Sequence, residues 1–308
     1  MVVFIHVLFP GKLGFSMESI ARFAVPLFFI ISGFFSYNIT IKKIKTRIRH
    51  IACLFLASVL LYTLWCSSMY LLDNNITGLI EHFAKYLDIN NWTKFLFFNV
   101  TISYMHLWYL VALVYVYIAL FFAKKCNIKD NTIFWGSCIL LIIHFIINYS
   151  VISMGMDIKG YVVRNYLTMG IPFFGLGMIC KKYENKIKKV PSSYYVLIIL
   201  IGLIETVLVR LCVAKNELYI GSVLIALSFM GLAVRYSEKT YSEKIILFTR
   251  CSSYIYIVHM IADDIVARTY SFINIQNLHA FHMLKPILTC ILSTIIAFLF
   301  CKISKKTE

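Results

Sequence analysis

The groups able to do chemistry in this chain are few, and they sit in apolar surroundings. His6 lies in the run MVVFIHVLF at residues 1–9. An imidazole titrates near neutral pH and is the usual base for taking a proton from a hydroxyl. The competing reading is a histidine satisfied by a neighbouring helix. Glu205 lies inside LIGLIETVLVRL, where a carboxylate must be paired or protonated. Arg210, five residues on, is off its face, so Glu205 is expected to face inward. There it could orient a histidine, accept a proton or make a plain structural pair. Ser32, before Gly33 in IISGFF, is either a hydrogen-bond donor or a companion to a close helix contact. His106, Trp108 and Tyr109 open another apolar stretch, where an interfacial aromatic belt is the competing reading. His259 closes SYIYIVH. Arg47 and Arg49, followed by His50, belong to a basic run. Arginine's planar fork suits phosphate, although a topology signal explains most such charges. Arg22 and Arg164 stand at the starts of apolar runs; both could bind an anionic group, but snorkelling is the commoner explanation.

Other chemistries find little support. His279 and His282 form an H-x-x-H pair without a third ligand, so no metal is expected. No G-x-S-x-G or P-loop pattern occurs. The nine cysteines include no C-x-x-C pair and fall mostly in apolar runs. They read as small buried apolar residues.

These groups must be positioned by membrane helices. Hydrophobic residues make up 60% of the 308 and charged ones only 14%, far below a soluble domain. Mean hydropathy is +0.81. On a rule of about 20 apolar residues per span, spans fall near residues 1–9, 20–39, 51–72, 105–123, 133–152, 165–180, 194–212, 219–236, 253–270 and 284–300. The expected fold is all-α, a polytopic transmembrane bundle of about ten helices forming one domain over residues 1–308. Residues 10–19 are expected as a short turn. The long connection at 73–104 is expected to lie outside, with a short interfacial helix near 76–86.

The net charge of +16 would suggest nucleic acid in a soluble chain. Here most of the 30 Lys and Arg residues lie in loops after every second span, among them Lys42, Lys124, Lys181, Arg235 and Lys302. That is the positive-inside pattern, so nucleic acid is not an expected partner. Both termini are expected on the cytoplasmic side of a cell membrane.

The stretch AVPLFFIISGFF at residues 24–35 resembles the second helix of the membrane-integral acyltransferase 3 family. HLWYL at 106–110 with Ala112, Leu113 and Tyr115, IPFFGLG at 171–177 and SYIYIVH at 253–259 resemble further stretches of that family, in the same order. The resemblance implies an O-acyltransferase of cell-surface glycans, stand-alone and without a soluble esterase-like domain. It implies an acyl-CoA donor, with acetyl as the expected group, and a carbohydrate acceptor. Separate glycan-assembly proteins and the lipid bilayer are the expected partners. His6 takes the place of the family's catalytic histidine. Arg47 and Arg49 stand near its R-x-x-R pair, imperfectly spaced, as candidates for the phosphates of acyl-CoA. Glu205 is a candidate catalytic carboxylate. Ser32, His106, Trp108, Tyr109 and His259 are candidate substrate-binding residues. The family pattern also has a basic residue eleven positions before the histidine, and only five residues precede His6. Residues 1–9 span only about 14 Å as a helix, so the first helix is expected to be truncated. The rival classes are a transporter or flippase, which ten helices and a buried Glu205 would suit, and a non-catalytic membrane subunit. An inverted repeat, common in transporters, is not evident.

Overall fold

A computed structural model describes residues 1–154, 159–213, 215–240, 242–273 and 279–304. All regular structure among these residues is helical. Helix α1 is Val3–His6, α2 Gly11–Ala21, α3 Ala24–Phe34, α4 Ile41–Leu72, α5 Ile76–Ala84, α6 Ile89–Phe98 and α7 Trp108–Lys125. Then follow α8 Asp130–Ser153, α9 Gly160–Val163, α10 Ile171–Lys182, α11 Glu184–Lys189 and α12 Ser192–Cys212. Helices α13 Ile220–Arg235, α14 Glu243–Phe272 and α15 His279–Ser304 complete the chain. A 3-10 turn, Met105–Leu107, precedes α7, and a π-helical turn, Tyr166–Gly170, precedes α10.

Six helical stretches among the described residues are long and apolar enough to cross a membrane: Gly11–Phe34, Ile41–Leu72, Met105–Lys125, Asp130–Ser150, Ser192–Cys212 and Ala280–Lys302. The other expected spans are helical but different in kind. Helix α1 has 4 residues, α10 has 12 and α13 has 16. Helix α14 has 30 residues but carries Asp263, Asp264 and Arg268. The expected turn over residues 10–19 is overturned, since most of it is helix α2. Pro10 is extended (φ −65°, ψ 149°) and Gly11 takes φ 60°, so the chain reverses within two residues and coils at once. An i,i+4 ion pair between Glu18 and Arg22 ties its end.

The chain divides into two compact units. One comprises Met1–Ala24, Pro191–Ser228 and Leu232–Glu308, the other Val25–Val190 and Phe229–Gly231. In the first, α14 pairs along its length with α15, α12 packs on α2, and α1 touches α2, α14 and α15. In the second, α4 packs on α7, and α10 packs on α8. Helix α4 shows how sequence sets that packing. Thr40 caps it by accepting the Lys43 N–H, Ile44, Ile51, Ser58 and Tyr62 are buried, and Leu56, Leu60 and Leu64 form an exposed apolar stripe. Helices α3 and α10 cross at contact distance. A Cβ on Gly33 would lie 1.9 Å from the Phe174 carbonyl oxygen, and one on Gly177 would lie 2.0 Å from that of Ile30.

Candidate functional site

In the first unit, α1 sets His6 against His259 of α14. The ring centroids are 5.2 Å apart and the planes are tilted by 39°. His259 is fully buried, whereas His6 is exposed, which corrects the burial expected for it in an apolar run. With only four residues, α1 has no long apolar face to sink into a neighbour. His259 Nδ1 lies 2.7 Å from the Tyr256 carbonyl oxygen. A carbonyl only accepts, so Nδ1 carries the hydrogen and Nε2 of the neutral ring is the acceptor. One turn along α14, Asp263 pairs with Lys285 of α15 at 3.0 Å and accepts from the Thr289 hydroxyl at 3.3 Å. The i+4 spacing of Asp263 from His259 was readable in the sequence as a shared helix face.

Glu205 does not meet a histidine at hydrogen-bond distance among the described residues. Its Oε2 accepts the Gly221 N–H at 2.7 Å, with Thr206 Oγ1 at 3.4 Å. Gly221 is the second residue of α13, so the carboxylate faces the unpaired amides and positive dipole end of that helix. Arg22 departs from snorkelling. It is buried, and it pairs with Glu18 at 2.6 Å and with Glu217. Arg210 reaches Glu18 rather than Glu205.

In the second unit, a cavity of about 650 Å³ opens beside the start of α4. Lys43, Arg47 and His50 of α4 line it with Lys181 of α10, and Phe34 and Phe35 supply an apolar wall. Arg49 is not among its lining residues. Arg47 and His50 lie three apart and share a helix face, whereas Arg49 does not share theirs. The Tyr37 hydroxyl in the wall donates to Asp130 at 2.9 Å, and Lys124 donates to the Tyr37 carbonyl at 3.0 Å, which fixes that residue. The bond to Asp130 holds the Tyr37 hydroxyl pKa above its ordinary value. In sequence Lys43 and Lys181 look like any other basic residues beside an apolar span.

The remaining candidates of this unit also form local groups. The Tyr109 hydroxyl has a side-chain hydrogen bond with Ser32. The Ser32 carbonyl accepts from Ser36 at 2.7 Å, and the Ser36 hydroxyl is 3.1 Å from Tyr117. His106 is buried edge-on to Tyr62 at 4.7 Å. Trp108 is buried with the Arg164 guanidinium 5.6 Å above it, so Arg164 stacks on a ring. His82, unremarked in sequence, is buried with Nε2 3.1 Å from the Tyr104 hydroxyl. No group of His, Cys, Asp and Glu among the described residues could hold a metal ion. The His279 side chain lies outside the described residues.

A family model described as an acyltransferase domain matches residues 1–303. No curated protein and no solved structure matches.

Proposed function

The chain belongs to the acyltransferase 3 family, and from that membership of a membrane acyltransferase we propose that it moves an acyl group, acetyl first among candidates, from acyl-CoA to a hydroxyl of an exported carbohydrate. The observation that carries this reading is the family match over 1–303, together with the residues it covers. His6 is the proposed base. It takes the proton of the acceptor hydroxyl as that oxygen attacks the thioester carbonyl, and the tetrahedral intermediate collapses by breaking the C–S bond. The proton returns to the leaving thiolate, so CoA departs as the thiol and His6 is neutral again.

The donor's phosphates are assigned to the α4 cavity. Lys43, Arg47, His50 and Lys181 give it a basic lining, and Phe34 and Phe35 offer apolar wall beside it. In the topology read from the basic loops this end is cytoplasmic, where acyl-CoA is available. Ser32 and Tyr109 are proposed to contact the acyl group, and His106, Trp108 and His259 to contact substrate. The bilayer, and separate proteins that assemble the glycan, are the proposed partners.

The test uses the full chain purified in detergent with labelled acetyl-CoA and candidate glycans. Label in the glycan with stoichiometric release of CoA supports the reading. Movement of a solute in sealed vesicles with no CoA release would favour a transporter.

A further inference from the structure

Five charged side chains gather in the first unit where α2 meets the end of α12 and the loop after it. Glu18 receives Arg22 at 2.6 Å, Lys215 at 3.2 Å and Arg210 at 3.5 Å. Arg22 also pairs with Glu217. Among the described residues of this group, the three cations outnumber the two carboxylates by one. That surplus gives the group a net positive field able to attract an anion. Lys215 is the exposed member, with 55% of its side chain open, so the group communicates with the surface.

The same place holds polar atoms that the fold leaves unmatched. Asn216 is 2% exposed, and among the described residues neither its Nδ2 nor its Oδ1 has a hydrogen-bond partner. Its backbone N–H, by contrast, donates to the Tyr219 hydroxyl at 3.0 Å. Arg22 Nε and Arg210 Nε are likewise buried and unmatched among the described residues. Buried polar groups are paired in the great majority of proteins, and a cluster of exceptions asks for a ligand that supplies the partners.

We infer that Arg22, Arg210, Lys215 and Asn216 form a binding site for a monoanionic, hydroxyl-bearing sugar, with a uronic-acid residue as the fitting class. The unmatched guanidinium N–H groups and the surplus positive charge call for one carboxylate. The Asn216 amide calls for a group that both donates and accepts, which a sugar hydroxyl does. A phosphodiester group carries one negative charge but only acceptors, so by itself it leaves Asn216 Oδ1 unmatched. In the topology read from the basic loops, the loop after α12 faces outward, the side of an exported glycan. The inference deepens the proposed function by naming an acidic acceptor, and it rests on that reading only for the word acceptor. Binding itself stands apart from acyl transfer.

The test measures binding to the full chain in detergent without acyl-CoA, by calorimetry or ligand-induced thermal stabilisation. The ligands are glucuronate, glucose, glucuronamide and inorganic phosphate. Glucuronate is expected to bind at least about 10-fold more tightly than glucose or glucuronamide. Asn216→Ala and Lys215→Gln are each expected to weaken it by about 5- to 10-fold. Lys215 is 55% open, so its variant disturbs packing least, and its melting temperature without ligand checks that it folds. Equal affinity for the charged and uncharged sugars, unchanged binding in the Lys215 variant, binding of phosphate alone, or no binding at all would each overturn the assignment. Glucuronate binding by a protein that transfers no acyl group would support this site while removing the proposed function.

Discussion

The exposed His6 imidazole rests 5.2 Å, centroid to centroid, from the buried His259, whose Nδ1 is held by the Tyr256 carbonyl. The second ring is fixed in position and in tautomer, so it presents Nε2 as an acceptor. His6→Ala is expected to lower acyl transfer by at least about 10²-fold with the protein still inserted. His259→Gln, which keeps a donor and an acceptor, should lose less than His259→Ala. Transfer assays normalised to membrane protein decide this, and near-normal product from His6→Ala removes it from the mechanism.

Arg47 and Arg49 offer a sharper contrast than the sequence suggested, because one lines the α4 cavity with Lys43, His50 and Lys181 and the other does not. Arg47→Ala is expected to raise KM for acyl-CoA by about 10-fold, the scale of one charge-assisted hydrogen bond. Arg49→Ala should change it by less than about 2-fold, since an exposed charge outside the cavity contributes little. Steady-state kinetics against acyl-CoA concentration measure both. The reverse order of effects would move the phosphate site away from this cavity.

What the sequence made legible follows from what is local. Each apolar run at 20–39, 51–72, 105–123, 133–152 and 194–212 corresponds to helix because length and hydropathy act within one segment. Residues 10–19 resemble a turn in sequence because Pro10-Gly11 is a strong turn signal, whereas Gly11 at φ 60° reverses the chain in one residue as α2 begins. The site was legible as residue types and not as partners. Glu205 was flagged as costly in lipid, but its partner is the Gly221 amide, and backbone amides leave no mark in a sequence. For Arg22, Glu18 four residues back is a local helix neighbour, but Glu217 is distant in the chain, so the burial of the group is not legible in sequence. Asn216 drew no notice, since an amide in a polar loop looks ordinary until its burial is known.

The crossing of α3 with α10 fixes a stability prediction. A Cβ at Gly33 would stand 1.9 Å from the Phe174 carbonyl oxygen, which is backbone and cannot turn aside. Gly33→Ala therefore forces the helices apart and is expected to destabilise by about 1–3 kcal/mol. Gly136→Ala in α8 is the control, because nothing lies within 4 Å of its would-be Cβ. Alanine's better helix propensity should leave that variant equal to the parent or up to about 1 kcal/mol more stable. Thermal unfolding of both proteins in one detergent gives the comparison, and equal melting temperatures for Gly33→Ala and the parent contradict the close crossing.

His82 supplies a pH dependence. Its ring is buried beside Tyr104, at 3.1 Å from the hydroxyl, and Tyr104 donates to Thr63 of α4 at 3.3 Å. This chain of contacts pins α5 to α4 and to the turn before α7. Burial first, and the charge of Lys85 second, push the His82 pKa below its ordinary value of 6.5. Above pH 6.5 the ring is neutral whether α5 is docked or detached, so docking carries no pH term. As pH falls below that value the detached ring takes up its proton first, the docked state binds fewer protons, and docking loses stability. Hydrogen exchange of residues 76–84, corrected for intrinsic rates, should rise from about pH 7 to about pH 5 in the parent. It should stay nearly flat in His82→Phe, which fills the same space without titrating. A rise of equal size in both proteins would assign the pH response to another group, and a flat parent would show that His82 binds its proton as readily docked as detached.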